Sequence, residues 1–543
     1  MSDTTANAEA GADRPGNPAP PQAARPAPAA ASTAQAPLTG GTLILGTISL
    51  ALATFMNVLD TSIANVSIPA MSGDLGVSTS QGTWVITSFA VANAISLPLT
   101  GWLTLRLGQV RLFTLSTLLF VVASLMCGLA PNLPTLILFR VIQGAVAGPM
   151  IPLSQTLLMA SYSKARVGTA LALWSMTTLV APVVGPLLGG WITDNINWPW
   201  IFYINIPVGL FAAGITWMIY KDRETPTKKL PVDGIGLILL VLWVGSLQVM
   251  LDKGKELDWF ASGTIITLAI VAVVGFVVFL IWEMTDEHPA VDLTLFAKRN
   301  FTSGTLSLSL AYAIFFGNLV LLPLWLQQTM GYTATSAGLA LAPVGILAIV
   351  LMPLVGKNIN RVDPRIFASF SFVIFALVFW MRSRFSTDVS IMDVMIPTLV
   401  QGIAMAFFFV PLINLALSGL SPERIPAASG LTNFVRITAG AFGTSIYTTL
   451  WEDRAAMHHA QLAESINSGS EATTRAVDGL MAQGMSHEQA MGAINNMIDR
   501  QVLTLSAAEL FYISAFIFIA MIAVIWIAKP ARNGAAVDAG AAH

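Results

Sequence analysis

One cysteine in 543 residues, Cys127, is too few for a disulfide or a thiolate metal site, and its apolar surroundings mark it as a small buried hydrophobe. Charge is almost as scarce: Asp, Glu, Lys and Arg make up 10% of the chain, 27 basic against 29 acidic, for a net charge of −2. Such a balance leaves no basic footprint for nucleic acid. With 55% hydrophobic residues and a mean hydropathy of +0.72, an ordinary water-facing surface could not be assembled either. The chain contains no GxxxxGK[ST] loop, no HExxH and no GxSxG, which argues against ATP-driven pumping, zinc hydrolysis and serine esterase chemistry, and no cofactor is expected. The adjacent His458 and His459 do not share a helix face and suggest no metal site.

What is present is length in apolar segments. About 20 apolar residues at ~1.5 Å each cross a hydrocarbon core of ~30 Å. Fourteen stretches of that length lie between charged or Pro/Gly-rich breaks, starting near Thr42, Gln81, Val110, Leu133, Gly168, Trp200, Asp233, Ser262, Thr302, Thr335, Ile366, Ile391, Ala428 and Ala507. Residues 1–41, rich in Ala and Pro, lack the parts of a signal peptide and predict a disordered tail.

The segments repeat. Pro98-Leu99-Thr100-Gly101 with Arg106 returns as Pro353-Leu354-Val355-Gly356 with Arg361, and Gln143-Gly144 with Pro152-Leu153 returns as Gln401-Gly402 with Pro411-Leu412. Gly168 and Trp174 stand where Gly430 and Arg436 stand in the other half. The expected fold is therefore an all-α integral membrane protein of two six-helix bundles, 42–221 and 302–530, with two extra spans inserted within 222–301, a long outer loop at 451–506 and a second tail at 531–543. Short loops on the N-terminal side collect Arg106, Arg111, Lys221, Arg223, Lys298, Arg299, Arg361 and Arg365 among others, against Lys253, Lys255, Arg382 and Arg384 opposite. By the positive-inside rule both termini are expected in the cytoplasm.

Two charges stand out inside the spans. Asp60 lies about nine residues before the outer end of the first, and Arg140 about seven after the outer start of the fourth, so their depths match. A charged side chain there costs at least ~2.5–3.5 kcal/mol unless it meets a cavity or a partner. Burial disfavours the carboxylate and a guanidinium favours it, so movement that changes either would change proton occupancy. A permanent ion pair clamping the two spans is the competing expectation. Arg436 has no carboxylate at its depth; backbone carbonyls, a lipid phosphate or an anionic substrate would each answer its charge.

A substrate pocket belongs near the midplane between the halves. Its expected lining comprises Asn65, Asn93, Gln143, Gln155, Trp174, Tyr312, Phe315, Asn318, Gln401, Phe408, Asn414, Asn433 and Arg436, with Phe316, Phe407 and Phe409 as further aromatic candidates. In the fifth span, Pro182, Gly185, Pro186, Gly189 and Gly190 remove backbone donors and allow close helix approach, the makings of a hinge as well as of tight packing. In the outer loop, Ser486 followed by Gln489 predicts a helix start, and Met491, Ile494, Met497 and Ile498 predict an apolar stripe.

These residues together resemble the major facilitator superfamily, and the fourteen-span count resembles its drug:proton antiporter branch, in particular the EmrB-type multidrug exporters. Leu59 to Val66 is similar to the branch's first-helix motif; Gly101, Trp102, Leu103, Arg106 and Gly108 to the loop motif after the second span, read as a gate; Arg140 with Gln143-Gly144 to the fourth-span motif; Gly185 to Gly190 to the exporter motif of the fifth; and Trp200 to Phe202 with Asn205 and Pro207 complete the set. The loop motif usually carries an acid where this chain has Leu105, so that acid's role does not carry over. The resemblance implies proton-driven export of hydrophobic and amphipathic toxic compounds by alternating access. It also implies a place in the bacterial inner membrane, with a periplasmic adaptor and an outer-membrane channel as partners. Asp60 alone fits a proton-coupled importer of a small organic solute equally well.

Overall fold

The computed structural model describes residues 36–228, 231–287, 289–359, 361–465 and 471–530; most of the expected N-terminal tail (residues 1–35) and the whole of the C-terminal one lie outside these. The tail ends earlier than expected. Leu38 N donates to Ser161 O at 2.9 Å and the first helix already starts at Gly40.

The N-terminal bundle holds α1 (Gly40–Asp74), α2 (Trp84–Ser96 and Thr100–Leu107), α3 (Gln109–Gly128), α4 (Leu133–Ser161), α5 (Val167–Asn195) and α6 (Trp200–Arg223). The inserted pair is α7 (Gly234–Lys253) and α8 (Gly263–Thr285). The second bundle holds α9 (Arg299–Gln328), α10 (Ser336–Asn358), α11 (Pro364–Arg382), α12 (Ile391–Leu417), α13 (Ile425–Ser465) and α15 (His487–Ile525), with the outer helix α14 (Glu471–Ala482) between the last two.

Among the described residues eleven helices are long and apolar enough to cross a membrane, and two bent pairs bring the number to thirteen. The expected thirteenth span, from Ala428, is helical within α13 but too polar to qualify, because that helix turns Ser429, Thr432, Asn433 and Arg436 inward, where all are buried. One bent pair is α2, which turns by 63° around Pro98, whose missing N–H breaks the backbone ladder.

The internal repeat becomes a repeated pairing. In the first bundle α1 lies against α5, α2 against α4 and α3 against α6; in the second α9 lies against α13, α10 against α12 and α11 against α15. The bundles meet through α5 with α10, α2 with α13, and α4 with α13. Glycine sets how close they come at the face that carries Gly40. A Cβ on Gly101 would stand 2.5 Å from Ala427 Cβ, one on Gly430 2.7 Å from Leu97 O, and one on Gly356 2.5 Å from Gly168 O. Backbone there lies on backbone, and the seam is shut at this face.

At the opposite face the inserted helices bridge the seam. Thr87 Oγ1 of α2 donates to Asp252, and Lys253 Nζ donates to Thr83 Oγ1 at 2.7 Å. On the other flank Ser445 Oγ of α13 donates to Leu251 O at 3.0 Å, Trp259 Nε1 donates to Thr449 Oγ1 at 3.0 Å, and Lys255 pairs with Glu452 at 2.6 Å.

The long outer loop is largely helical. α13 runs on to Ser465, and α15 starts at His487, some twenty residues before the span expected from Ala507. Ser486 and Gln489 form the reciprocal cap that their spacing predicts. Of the expected stripe, Ile494 is buried against Val477 and Ala490, and Ile498 packs on that cluster; Met491 and Met497 are exposed instead.

Candidate functional site

α1 and α4 bring Asp60 and Arg140 together in the N-terminal bundle with no exposed side-chain surface on either, and Arg140 Nη1 donates to Asp60 Oδ2 at 2.5 Å. One turn along α4, Gln143 uses both ends of its amide: Oε1 accepts from Arg140 Nη1 at 2.7 Å, and Nε2 donates to Asp60 Oδ1 at 3.2 Å and to Ser124 Oγ at 2.7 Å. Asn205 Nδ2 of α6 donates to Asp60 Oδ1 at 2.9 Å. Arg140 Nε donates to Val85 O at 2.9 Å, and its guanidinium lies 4.2 Å from the Phe89 ring centre. The pair is thus held by four helices besides α1. Gln143, expected in the substrate lining, belongs to this network.

One group is left over. Arg140 Nη2 is buried without a hydrogen-bond partner among the described residues, although a guanidinium in a dry site normally satisfies every N–H. Removing one partner of such a pair typically costs ~3–5 kcal/mol, because the other charge is then stranded.

α5 lies on the stretch of α1 that carries Asp60. A Cβ on Gly185 would stand 2.6 Å from Ser62 Cβ and one on Gly189 2.6 Å from Ile63 Cγ1, and Ser62 Oγ donates to Pro182 O at 3.1 Å. The helix bends by 44° between Val167–Pro182 and Leu187–Asn195. A Cβ on Gly190 would stand an ordinary 3.8 Å from Val66 Cγ1; the side chain of Pro186 lies outside the described residues.

A second polar cluster joins the bundles. Ser429 Oγ of α13 donates to Gln155 Oε1 of α4 at 2.5 Å, Asn433 Nδ2 reaches the same oxygen at 3.5 Å, and Arg436 Nη2 donates to Asn433 Oδ1 at 2.7 Å. Gln155, Ser429, Thr432, Asn433 and Arg436 line a small cavity of about 10 Å³, room for about one water molecule. The Arg436 guanidinium stands 4.7 Å from the Tyr312 ring and 5.7 Å from Phe409, and Phe316 stacks on Tyr312 at 4.5 Å. No carboxylate pairs with it among the described residues.

The remaining expected lining residues scatter. Gln401 accepts from Arg382 at 2.7 Å inside the second bundle, and Asn318 donates to Ser514 Oγ at 3.1 Å. Phe408 has no exposed surface and packs on Phe375, so the ring that borders Arg436 is its neighbour Phe409. Phe315 is buried between Tyr312 and Phe375, and Trp174 donates to Ser154 Oγ at 3.1 Å. Asn65 is exposed, Asn93 is half-buried, and Asn414 keeps a carbonyl oxygen with no partner.

At the loop after α2, Gly108 adopts φ 88° and the Glu224 carboxylate caps α3 through Val110 N (3.0 Å) and Arg111 N (2.9 Å). Arg106 stands over the Trp102 ring at 5.2 Å, and Leu105 lines a groove of about 100 Å³ with Asp292, Glu423 and Arg424.

Two six-helix bundles related by a repeat, with a buried ion pair in one and an aromatic-lined polar cluster at their seam, define a multi-pass membrane transporter. Residues 50–444 match the Major Facilitator Superfamily, and the chain belongs to that family. Over 510 residues it is 52% identical to the multidrug export protein EmrB of Escherichia coli (strain K12), covering 94% of this chain and 99% of that protein. It is 51% identical over 494 residues to the fatty acid resistance protein FarB of Neisseria gonorrhoeae, covering 91% and 97%. The fold is shared with the human organic anion transporter MFSD10 (TM-score 0.53, 14% identity, 88% and 100% covered) and with the proton:xylose symporter XylE (TM-score 0.53, 12% identity, 87% and 94% covered).

Proposed function

We propose that the protein is a proton-driven multidrug efflux antiporter of the bacterial inner membrane, with both termini cytoplasmic, and the membrane pump of a tripartite system. The observation that carries the reading is a carboxylate and a guanidinium with no exposed surface, bound to each other in a chain 52% identical to a multidrug export protein. Ionised Asp60 holds Arg140; a proton on Asp60 cancels that attraction and releases the hold of α4 on α1. α5, seated on Ser62 and Ile63, turns that release into movement of α1, and the glycine contacts of the shut face part as the opposite end closes. The shut face carries most of the loop Lys and Arg, which supports a cytoplasmic placement and hence an outward-facing state here.

Substrate sits against Tyr312, Phe316 and Phe409, whose faces accept varied apolar bodies, and Arg436 answers an acidic group. A relative named for fatty acid resistance supports amphiphilic carboxylates within the range. The exposed Met457, Met481, Met491 and Met497 of the outer helices suit contact with a periplasmic adaptor. An importer would use the same ion pair, but relatives named for export favour efflux. The test is drug movement in proteoliposomes under an imposed pH gradient. Wild type should concentrate drug with the gradient and Asp60→Asn should ignore it; equal, gradient-dependent movement by both would reject the reading.

A further inference from the structure

The inserted helices hold two buried carboxylates that neither the ion pair nor the seam cluster uses. Asp233 caps α7, its Oδ1 accepting from Gly236 N at 2.7 Å and from Trp282 Nε1 at 3.0 Å. Glu283, near the end of α8, accepts from Val291 N at 3.1 Å through Oε2. The other oxygen of each, Asp233 Oδ2 and Glu283 Oε1, is buried with no hydrogen-bond partner among the described residues, and the two residues are only 8% and 4% exposed.

Those two oxygens point at one place. A Cβ built on Gly236 would stand 2.8 Å from Glu283 Oε1 and 2.7 Å from Asp233 Cγ, so the orphaned atoms converge over a residue that has no side chain. Two ionised carboxylates facing each other in a dry site repel, and among the described residues no cation pairs with either. Asp286, one turn on, adds charge of the same sign; Glu287 is exposed; Arg424, the near cation, is bound to Asp292 at 2.6 Å; and Glu423 lines the groove beyond. A single proton shared between the two carboxyls removes the repulsion and satisfies both oxygens at once.

We propose that Asp233 and Glu283 form a second proton-binding site, separate from Asp60, at the shut face of the protein. It is wired to the seam. Glu283 holds Val291, the next residue, Asp292, holds Arg424 before α13, and this linker lines the groove with Gly101 and Trp102 of α2. Loss of the proton leaves two facing charges that loosen the linker where the bundles touch.

The test needs no transport and so stands or falls apart from the efflux reading. Full-length protein in detergent is followed by infrared difference spectroscopy and by thermal unfolding across a range of about pH 5 to 9. Wild type should show a protonated-carboxyl band that fades as pH rises, with a Tm falling by several degrees over the same interval. Glu283→Gln, whose amide supplies the missing donor permanently, should lack the band and keep a flat Tm near the low-pH value. If that variant does not fold, Asp233→Asn, which preserves the cap, is read in the same way. Identical band and Tm profiles in wild type and variant would overturn the proposal. So would a wild-type Tm raised at high pH by sodium, potassium or calcium ions and unmoved in Glu283→Gln, which would make the site a metal-ion site.

Discussion

The two bundles bury guanidinium groups in opposite ways. In the first, Arg140 faces a carboxylate, and the pair is closed off by Gln143, Asn205 and Phe89. In the second, Arg382 is 2% exposed and rests on Gln401 and Thr398, and at the seam Arg436 is 5% exposed and rests on Asn433 and two rings. A cation with an acid has two states, because a proton can take its place; a cation with only amides and rings has one. On the proposed reading the repeated fold separates its tasks, with proton exchange in the first bundle and a fixed positive potential at the seam.

The contrast breaks most visibly at Arg140. Arg140→Ala should strand Asp60 in a dry site and cost ~3–5 kcal/mol, seen as loss of folded protein or a collapse of Tm, whereas Arg436→Ala, which removes a charge with no ionised partner, should leave folding nearly intact. Equal destabilisation would erase the distinction. Next in size, Arg436→Ala should lower export of carboxylate-bearing amphiphiles about tenfold or more while neutral drugs lose little, as measured by resistance and by efflux from loaded cells. Uniform loss across both classes would make Arg436 structural.

A smaller effect is expected at the shut face. Gly356→Ala forces α5 and α10 apart, and overpacking of that kind typically costs ~1–3 kcal/mol of the closed state. Labelling of a cysteine introduced at the seam, from the side of the shut face, should be faster in that variant. The smallest concerns Asp363, which caps α11 from outside the spans. Burial pushes its carboxyl up, but hydrogen bonds from Arg365 outweigh burial and hold it below the usual carboxylate range. Its contribution is therefore present above the unfolded value of about 3.9 and lost as pH falls below it. Asp363→Asn should reduce stability by less than about 1 kcal/mol at neutral pH, and the deficit against wild type should vanish in acid.

The ion pair was legible in the sequence because charge is rare in an apolar run, so Asp60 and Arg140 had few rivals. Its neutral partners were not. Asn205 could be noted only within a motif, and Ser124 gave no signal, since a lone hydroxyl in a membrane helix bonds its own backbone as readily as a distant carboxylate. Apolar length in the sequence marked fourteen spans, the one from Ala428 among them, but not why α13 is the most polar: a helix turned inward trades apolar residues for the polar ones it buries at the seam. Phe408 and Phe409 are neighbours at a break in α12, and no single sequence says which ring meets Arg436. The convergence of Asp233 and Glu283, fifty positions apart, depends on how α7 folds back along α8, and spacing alone does not encode it.

The most direct measurement of the central claim is the proton count on drug binding to purified protein in weakly buffered detergent, read with a pH indicator near neutrality. Wild type should release protons when drug is added and Asp60→Asn should release none while still binding drug. Equal release from both would contradict the assignment of proton exchange to Asp60.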